Sequence, residues 1–167
     1  GLLFILISHN SEERIMTSKF KGYTGKVLDI NLTTGTVGEY PVTDEDREKF
    51  LGGRFLSTKI LWDQLKPGVD PLSQDNILIV MTSPLTGTGA PSTSRYDISA
   101  KSPHTGAIGH SNSGGSFGIY LKRAGWETMR VDMGEQGALV SGQKEGLLIQ
   151  FMHAKEERRG NFIVIAQ

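Results

Sequence analysis

NILIVMTSPLTGTGAPSTSRYDISAKSPHTGAIGHSNSGGSF, residues 76–117, is the stretch on which the rest of the chain hangs. Asn76 to Met81 is a continuous apolar run, short enough for a strand buried on both faces. Thr82 to Arg95 is too rich in glycine, proline and hydroxyl residues to be a regular element. Tyr96 to Ala100 reads as a strand, Ser102 to Gly106 as a turn and Ala107 to His110 as the returning strand. Ser111 to Gly115 reads as a tight loop. Phe117, Tyr120, Leu121 and Ala124 then fall at i, i+3, i+4 and i+7, one face of a helix. Ser116 is placed to cap that helix and Gly125 to end it in a left-handed conformation.

Working outward, Leu28, Ile30 and Leu32 alternate as in a half-buried strand. The turn Thr33-Thr34-Gly35 and the segment Thr36 to Val42 complete a β-hairpin, with Pro41 marking an edge. Thr43 can cap a helix whose first turn carries Asp44, Glu45 and Asp46, where carboxylates suit the positive helix end. Gly52-Gly53 interrupts it. A second helix follows over Arg54 to Leu65, with Leu56, Ile60, Leu61 and Leu65 on one face, and Pro67-Gly68 ends it. Trp62 and Trp126 read as packing residues. Beyond Trp126 the pattern decays: residues 128–133 alternate weakly, and 134–146 are polar. Two apolar patches, 146–152 and 162–166, flank a charged run at 155–159 that reads as a solvated surface.

The chain has 167 residues, 37% apolar and 22% charged, enough for one domain with a real core. Lys+Arg and Asp+Glu balance at 18 each, so no long-range field draws nucleic acid or an anionic membrane. There is no cysteine, which excludes disulfides, a cysteine nucleophile and any cysteine-ligated cluster within this chain. Leu2 to Ile7 is apolar but far shorter than the roughly 20 residues of a membrane span. Met16 reads as the true start, with the first fifteen residues non-native; the alternative is a genuine N-terminal strand.

Chemistry concentrates where glycines do. The loop Pro84 to Ser94 leads into Arg95, and Asn112-Ser113-Gly114-Gly115 stands before a helix. The two intervening strands should open both loops at one end of a sheet. Glycines let backbone N–H groups approach an anion, and the first N–H groups of a helix are unpaired. Arginine adds a planar fork that suits phosphate. Thr86, Thr88, Ser92, Thr93 and Ser94 offer hydroxyls, and the Asn112 carbonyl could ligate magnesium beside phosphate oxygens. A glycine-rich loop before a helix more often serves turn geometry alone, so both readings stand on the residues themselves. The loop lacks the lysine and hydroxyl of a nucleotide phosphate loop, and no G-x-G-x-x-G joins a strand to a helix. His9, His104, His110 and His153 show no metal-ligand spacing and read as ordinary structural or surface histidines; His110 could stand behind Asn112. No residue reads as a catalytic acid, base or nucleophile.

Six segments in order and register carry a more specific signal: GKVLDINLTTG (25–35), LGGR (51–54), PLTGTGAP (84–91), SRY (94–96), KSPHTG (101–106) and NSGGSF (112–117). Over about residues 23–127 the chain resembles the N-terminal domain of the aldehyde ferredoxin oxidoreductase family. The resemblance implies an α+β fold of β-rich mixed sheets with a few helices, incomplete at its C-terminal side. It implies a tungsten (or molybdenum) bis-pterin cofactor with bridging magnesium. Arg95 would contact the pterin; Asn112 and Gly114, with Ser113 and Gly115 beside them, would form the pterin-phosphate site, and Asn112 would ligate the magnesium. The family oxidises aldehydes to carboxylates and passes electrons through a 4Fe-4S cluster to ferredoxin, and the cofactor carries the hard chemistry. The implied partners are the pterin and, in the full-length enzyme, ferredoxin, in a cytoplasmic setting; a homo-oligomer stays open.

Two departures qualify this. The family's cluster cysteines and second pterin-binding stretch lie in later domains, with no match here. From Thr128 the sequence leaves the family's aliphatic strand, which reads as a frameshift or truncation. The expected organisation is an N-terminal extension over 1–22, a partial pterin-binding domain over 23–127 and a divergent tail over 128–167. Whether this chain alone is an enzyme stays open. The alternatives are a stand-alone pterin- or phosphate-binding module and a non-functional truncated fragment.

Overall fold

A computed structural model describes residues 3–7, 18–132 and 162–166. Strands β1 (Leu3–Ile7) and β8 (Phe162–Ala166) pair antiparallel with each other. Met16, the polar stretch 134–146, the apolar patch 146–152 and the charged run 155–159 lie outside the described residues.

The remaining elements form one layered unit. They are β2 (Val27–Asn31), β3 (Thr36–Tyr40), α1 (Asp44–Phe50), α2 (Gly53–Gln64), β4 (Ile77–Met81), β5 (Tyr96–Lys101), β6 (Ile108–Ser113), α3 (Phe117–Arg123) and β7 (Thr128–Asp132). The six strands lie in the order β3-β2-β7-β4-β5-β6. Only β2 and β7 run parallel; every other neighbouring pair is antiparallel. This is the expected α+β class, a mixed sheet with three helices.

Period-two alternation divides the core into two layers. Leu28, Ile30, Leu78, Val80, Tyr96, Met129 and Val131 pack with Leu121 and Ala124 around α3. Ile77, Ile79 and Met81 pack on the other face with Leu56, Ile60 and Leu61 of α2. β4 serves both layers and is buried along its whole length, as its unbroken apolar run requires. The β2–β3 hairpin is closed by Asn31, whose Oδ1 accepts from the Thr34 N–H (2.9 Å), and Gly35 takes φ +68°. Thr43 caps α1 through Asp46 N–H, and Gly125 ends α3 at φ +93°.

Four expectations change. β7 begins after Glu127, where the sequence leaves its pattern, yet it lies between β2 and β4 in the middle of the sheet. Its alternation looked weak because Arg130 is buried, held by Asp29 and lying over the Tyr40 ring. The sheet therefore runs to Asp132, past the expected boundary. Ser111 to Ser113 belong to β6, not to a loop, since Asp97 pairs with Asn112 and Tyr96 with Ser113. Ser116 stands at the start of α3 but makes no side-chain cap, because its backbone is already helical. Trp62 is 79% exposed on the outer side of α2 with Phe55, whereas Trp126 packs against the core.

A buried ion pair joins the layers. Arg47 of α1 donates from Nε and Nη2 to Glu127 Oε1 (2.9 and 2.7 Å), and further to the carbonyls of Val42 and Gly25 (2.7 and 3.0 Å). Burial pushes the Glu127 carboxyl up, and the Arg47 guanidinium holds it down. Removing one partner leaves the other charge buried and uncompensated, which costs ~3–5 kcal/mol. Glu127→Ala is therefore expected to lower unfolding free energy in urea by about that amount. A loss under ~1 kcal/mol would mean the Gly25 and Val42 carbonyls suffice for Arg47.

Candidate functional site

Arg95 and Asn112 are 17 residues apart in sequence and adjacent in space. Arg95 immediately precedes β5 and Asn112 lies near the end of β6, opposite Asp97. Arg95 Nη1 donates to Asn112 Oδ1. Both residues are exposed, as are Ser113, Gly114 and Gly115, which continue from β6 toward α3. The Ser113 hydroxyl reaches the Gly114 carbonyl at 3.5 Å. All five expected site residues thus gather at one end of one hairpin.

The two glycines differ in what they require. Gly115 has φ +88°, a conformation only glycine adopts readily. Gly114 lies outside that region, and a Cβ built there meets nothing within 4 Å. Neither the backbone nor the packing of this chain demands glycine at 114. A ligand lying close against the backbone would.

The loop before Arg95 is not the array of free hydroxyls that its sequence suggested. Thr86 is buried; its Oγ1 accepts from Ser83 N–H and donates to Arg95 O, both at 3.1 Å. Thr88 donates to Leu85 O (2.7 Å) and Thr93 to Ala90 O (2.8 Å). These hydroxyls fold the loop on itself and fix the backbone of Arg95. Behind it, Lys122 of α3 donates to the carbonyls of Gly22 (2.5 Å), Ser83 (2.7 Å) and Pro84 (3.1 Å). Gly22 has φ +97°, and a Cβ there would stand 2.8 Å from Pro84 O.

A second group of polar residues lies on the α2 face of the same hairpin, beside Asn112. His110 Nδ1 meets Ser99 Oγ at 2.9 Å and its Nε2 meets Thr58 Oγ1 at 3.3 Å. Ser99 and Ser57, both fully buried, share a 2.7 Å hydrogen bond. Asp97 Oδ1 is buried without a hydrogen-bond partner, 3.8 Å from His110 Nδ1, and Asp97 Oδ2 is 3.9 Å from Arg54 Nε. Burial pushes the Asp97 carboxyl up, against His110 and Arg54. The sequence reading placed His110 behind Asn112 but passed over Ser57, Thr58, Asp97 and Ser99, although the alternation of Arg95, Asp97 and Ser99 against His110 and Asn112 encodes part of the group. His104 lies in the exposed turn between β5 and β6, away from it. Among the described residues no group of three or more His, Asp or Glu could hold a metal, and no helix is long and apolar enough to cross a membrane.

Residues 27–136 match the family model described as aldehyde ferredoxin oxidoreductase, N-terminal domain. The chain belongs to the aldehyde ferredoxin oxidoreductase family. It is 47% identical over 111 residues to the tungsten-containing aldehyde ferredoxin oxidoreductase of Pyrococcus abyssi, covering 66% of this chain and 18% of that protein. It is 34% identical over 134 residues to the aliphatic sulfonate oxidoreductase, WOR-like subunit, of Pyrococcus furiosus, covering 78% of this chain and 20% of that one. Among solved structures, the active site complex BamBC of benzoyl coenzyme A reductase, in complex with 1,5 dienoyl-CoA, matches with a TM-score of 0.65 and 36% identity. That match covers 67% of this chain and 17% of that one. The chain thus spans about a fifth of the length of the curated relatives it matches. The family match extends past Glu127, in agreement with the place of β7 in the sheet.

The residues at the hairpin end fit the phosphate-bearing part of the metal–pterin cofactor that the relatives' tungsten implies. A guanidinium, an amide carbonyl with a second lone pair and an open glycine backbone are the donors and acceptors such a group needs.

The loop clamp can be tested through its charge. Burial pushes the Lys122 ammonium down to about 8, with the Glu127 carboxylate opposing. Between about pH 8 and the ordinary lysine value of 10.5, the folded protein then binds fewer protons at this site than the unfolded chain. Stability from this site should rise with pH across that window. In urea titrations, the advantage of wild type over Lys122→Met is expected to be larger at the top of the window than at its bottom. A constant difference would mean that the three carbonyls hold the ammonium charged.

Proposed function

We propose that this domain supplies the phosphate-binding face for a tungsten (or molybdenum) bis-pterin cofactor. The enzyme it serves oxidises aldehydes to carboxylates. Arg95 would hold the pterin-phosphate end, with the backbone of Ser113, Gly114 and Gly115 beside it, and Asn112 would share its carbonyl oxygen with a bridging magnesium. The observation that carries this reading is the Arg95–Asn112 hydrogen bond at an open glycine backbone. The hydroxyls of Thr86, Thr88 and Thr93 are committed within the loop, so the guanidinium, the amide and the glycine N–H groups bear most of the recognition.

When bound, the cofactor supplies the two-electron chemistry of the carbonyl carbon. The residues of this chain bind and orient it. Electron transfer through a 4Fe-4S cluster to ferredoxin would use ligands outside this chain, which has no cysteine. A domain that keeps pterin without the rest of the enzyme is the second reading, favoured by the way one hairpin gathers the whole group.

The full chain, produced with tungstate supplied, can be assayed for retained pterin by fluorescence after oxidation. Arg95→Ala is expected to weaken retention by ~1–3 kcal/mol, the scale of a charge-assisted hydrogen bond. Gly114→Ala is expected to match or slightly exceed wild type in thermal stability while losing pterin, since nothing in the fold needs glycine there. Wild-type pterin content in both variants would sink the assignment.

A further inference from the structure

We propose that His110 is a positioning residue for the cofactor site: a strut from α2 that sets the orientation in which Asn112 is presented. The inference rests on the phosphate-site reading above and adds a residue that does not itself touch the cofactor.

β6 is the last strand of the sheet, so only one of its edges is held by a ladder. Asn112 lies near its end and is exposed, where an edge strand is least constrained. A terminal twist of β6 would swing Asn112 without breaking any other part of the core. His110 is two residues earlier, on the same face of the strand, and its imidazole is anchored at both nitrogens. Nδ1 is tied to Ser99 on the neighbouring strand and Nε2 to Thr58 on α2. Neither ring nitrogen is left without a hydroxyl neighbour.

The anchors are themselves fixed. Ser99 is fully buried and shares its hydroxyl with Ser57. Ser57 and Thr58 both donate to the Arg54 carbonyl, at 3.0 and 2.7 Å, in the first turns of α2. α2 is held to the sheet by Leu56, Ile60 and Leu61 in the apolar layer. The rigid part of the domain therefore reaches the edge strand through His110. From the other side, Arg95 is fixed through Thr86 and reaches Asn112 directly. Asn112 is thus set from two directions, by the loop through Arg95 and by α2 through His110. Groups that orient a ligating residue typically matter 10- to 100-fold for what it binds.

The test uses the full chain in three variants. His110→Phe keeps the ring volume and removes both hydrogen bonds. His110→Gln restores a polar end able to reach Thr58. Thr58→Val cuts the α2 contact at a half-buried position outside the apolar layer, so it probes the strut even if His110→Phe does not fold. Two quantities are read: the ordering of the Asn112 side-chain amide by nitrogen-15 relaxation without cofactor, and retained pterin after oxidation. His110→Phe and Thr58→Val are expected to loosen the Asn112 amide and lower pterin affinity about tenfold. His110→Gln is expected to recover part of both, which lost packing alone would not explain. The inference is overturned if Asn112 order and pterin stay at wild-type level in these variants while Arg95→Ala loses pterin. If Arg95→Ala also leaves pterin unchanged, the phosphate-site reading fails and the role of His110 with it.

Discussion

The Arg47–Glu127 pair is the interaction on which the arrangement of the domain turns. Two charges taken out of water are costly to bury, and only close geometry with additional hydrogen bonds offsets that cost. Here Arg47 also binds two carbonyls, and Glu127 Oε2 accepts from Gly25 N–H (3.4 Å). The Glu127 backbone reaches both flanks: its N–H donates to Lys26 O (2.9 Å), and its carbonyl accepts from Thr82 N–H (3.1 Å). β7 is thereby placed in register with β2 on one side and β4 on the other before its own ladder begins. A hydrophobic contact could stabilise this junction but could not specify the register so narrowly.

That junction also explains which parts of the fold were legible in the sequence. β4 was plain because five consecutive buried positions leave no other use for an apolar run. The β2–β3 hairpin and the α2 face were plain because turn chemistry and period agree locally. β7 was not, because its burial is settled by residues far away. Arg130 and Thr128 look solvent-facing until Asp29, Tyr40 and the neighbouring strands are known. The end of β6 misled for the opposite reason: Ser111, Asn112 and Ser113 have loop-like chemistry, yet the ladder with β5 holds them extended.

The candidate site at the end of the hairpin divides in the same way. Arg95, Asn112 and the glycines could be picked out because chemistry and spacing coincide within some twenty residues. The side chains behind them could not. Lys122 comes from α3, Thr86 from the loop interior, and Thr58 and Ser57 from α2, all joined to the hairpin by tertiary structure alone. Loop hydroxyls that looked like ligand donors are the means by which the loop keeps its own shape. In this family the N-terminal domain is a small fraction of a long polypeptide, and its preformed hairpin end is a local object on a scaffold specified at long range.

The contrast between the two tryptophans has an optical consequence. Trp62 stands in water on the outside of α2, while Trp126 lies against the core next to Glu127. Their emission should separate into a red, readily quenched component and a bluer, protected one. Light from the first would respond to whatever covers α2, and light from the second to loosening around β7. A single unlabelled sample could then tell docking apart from unfolding.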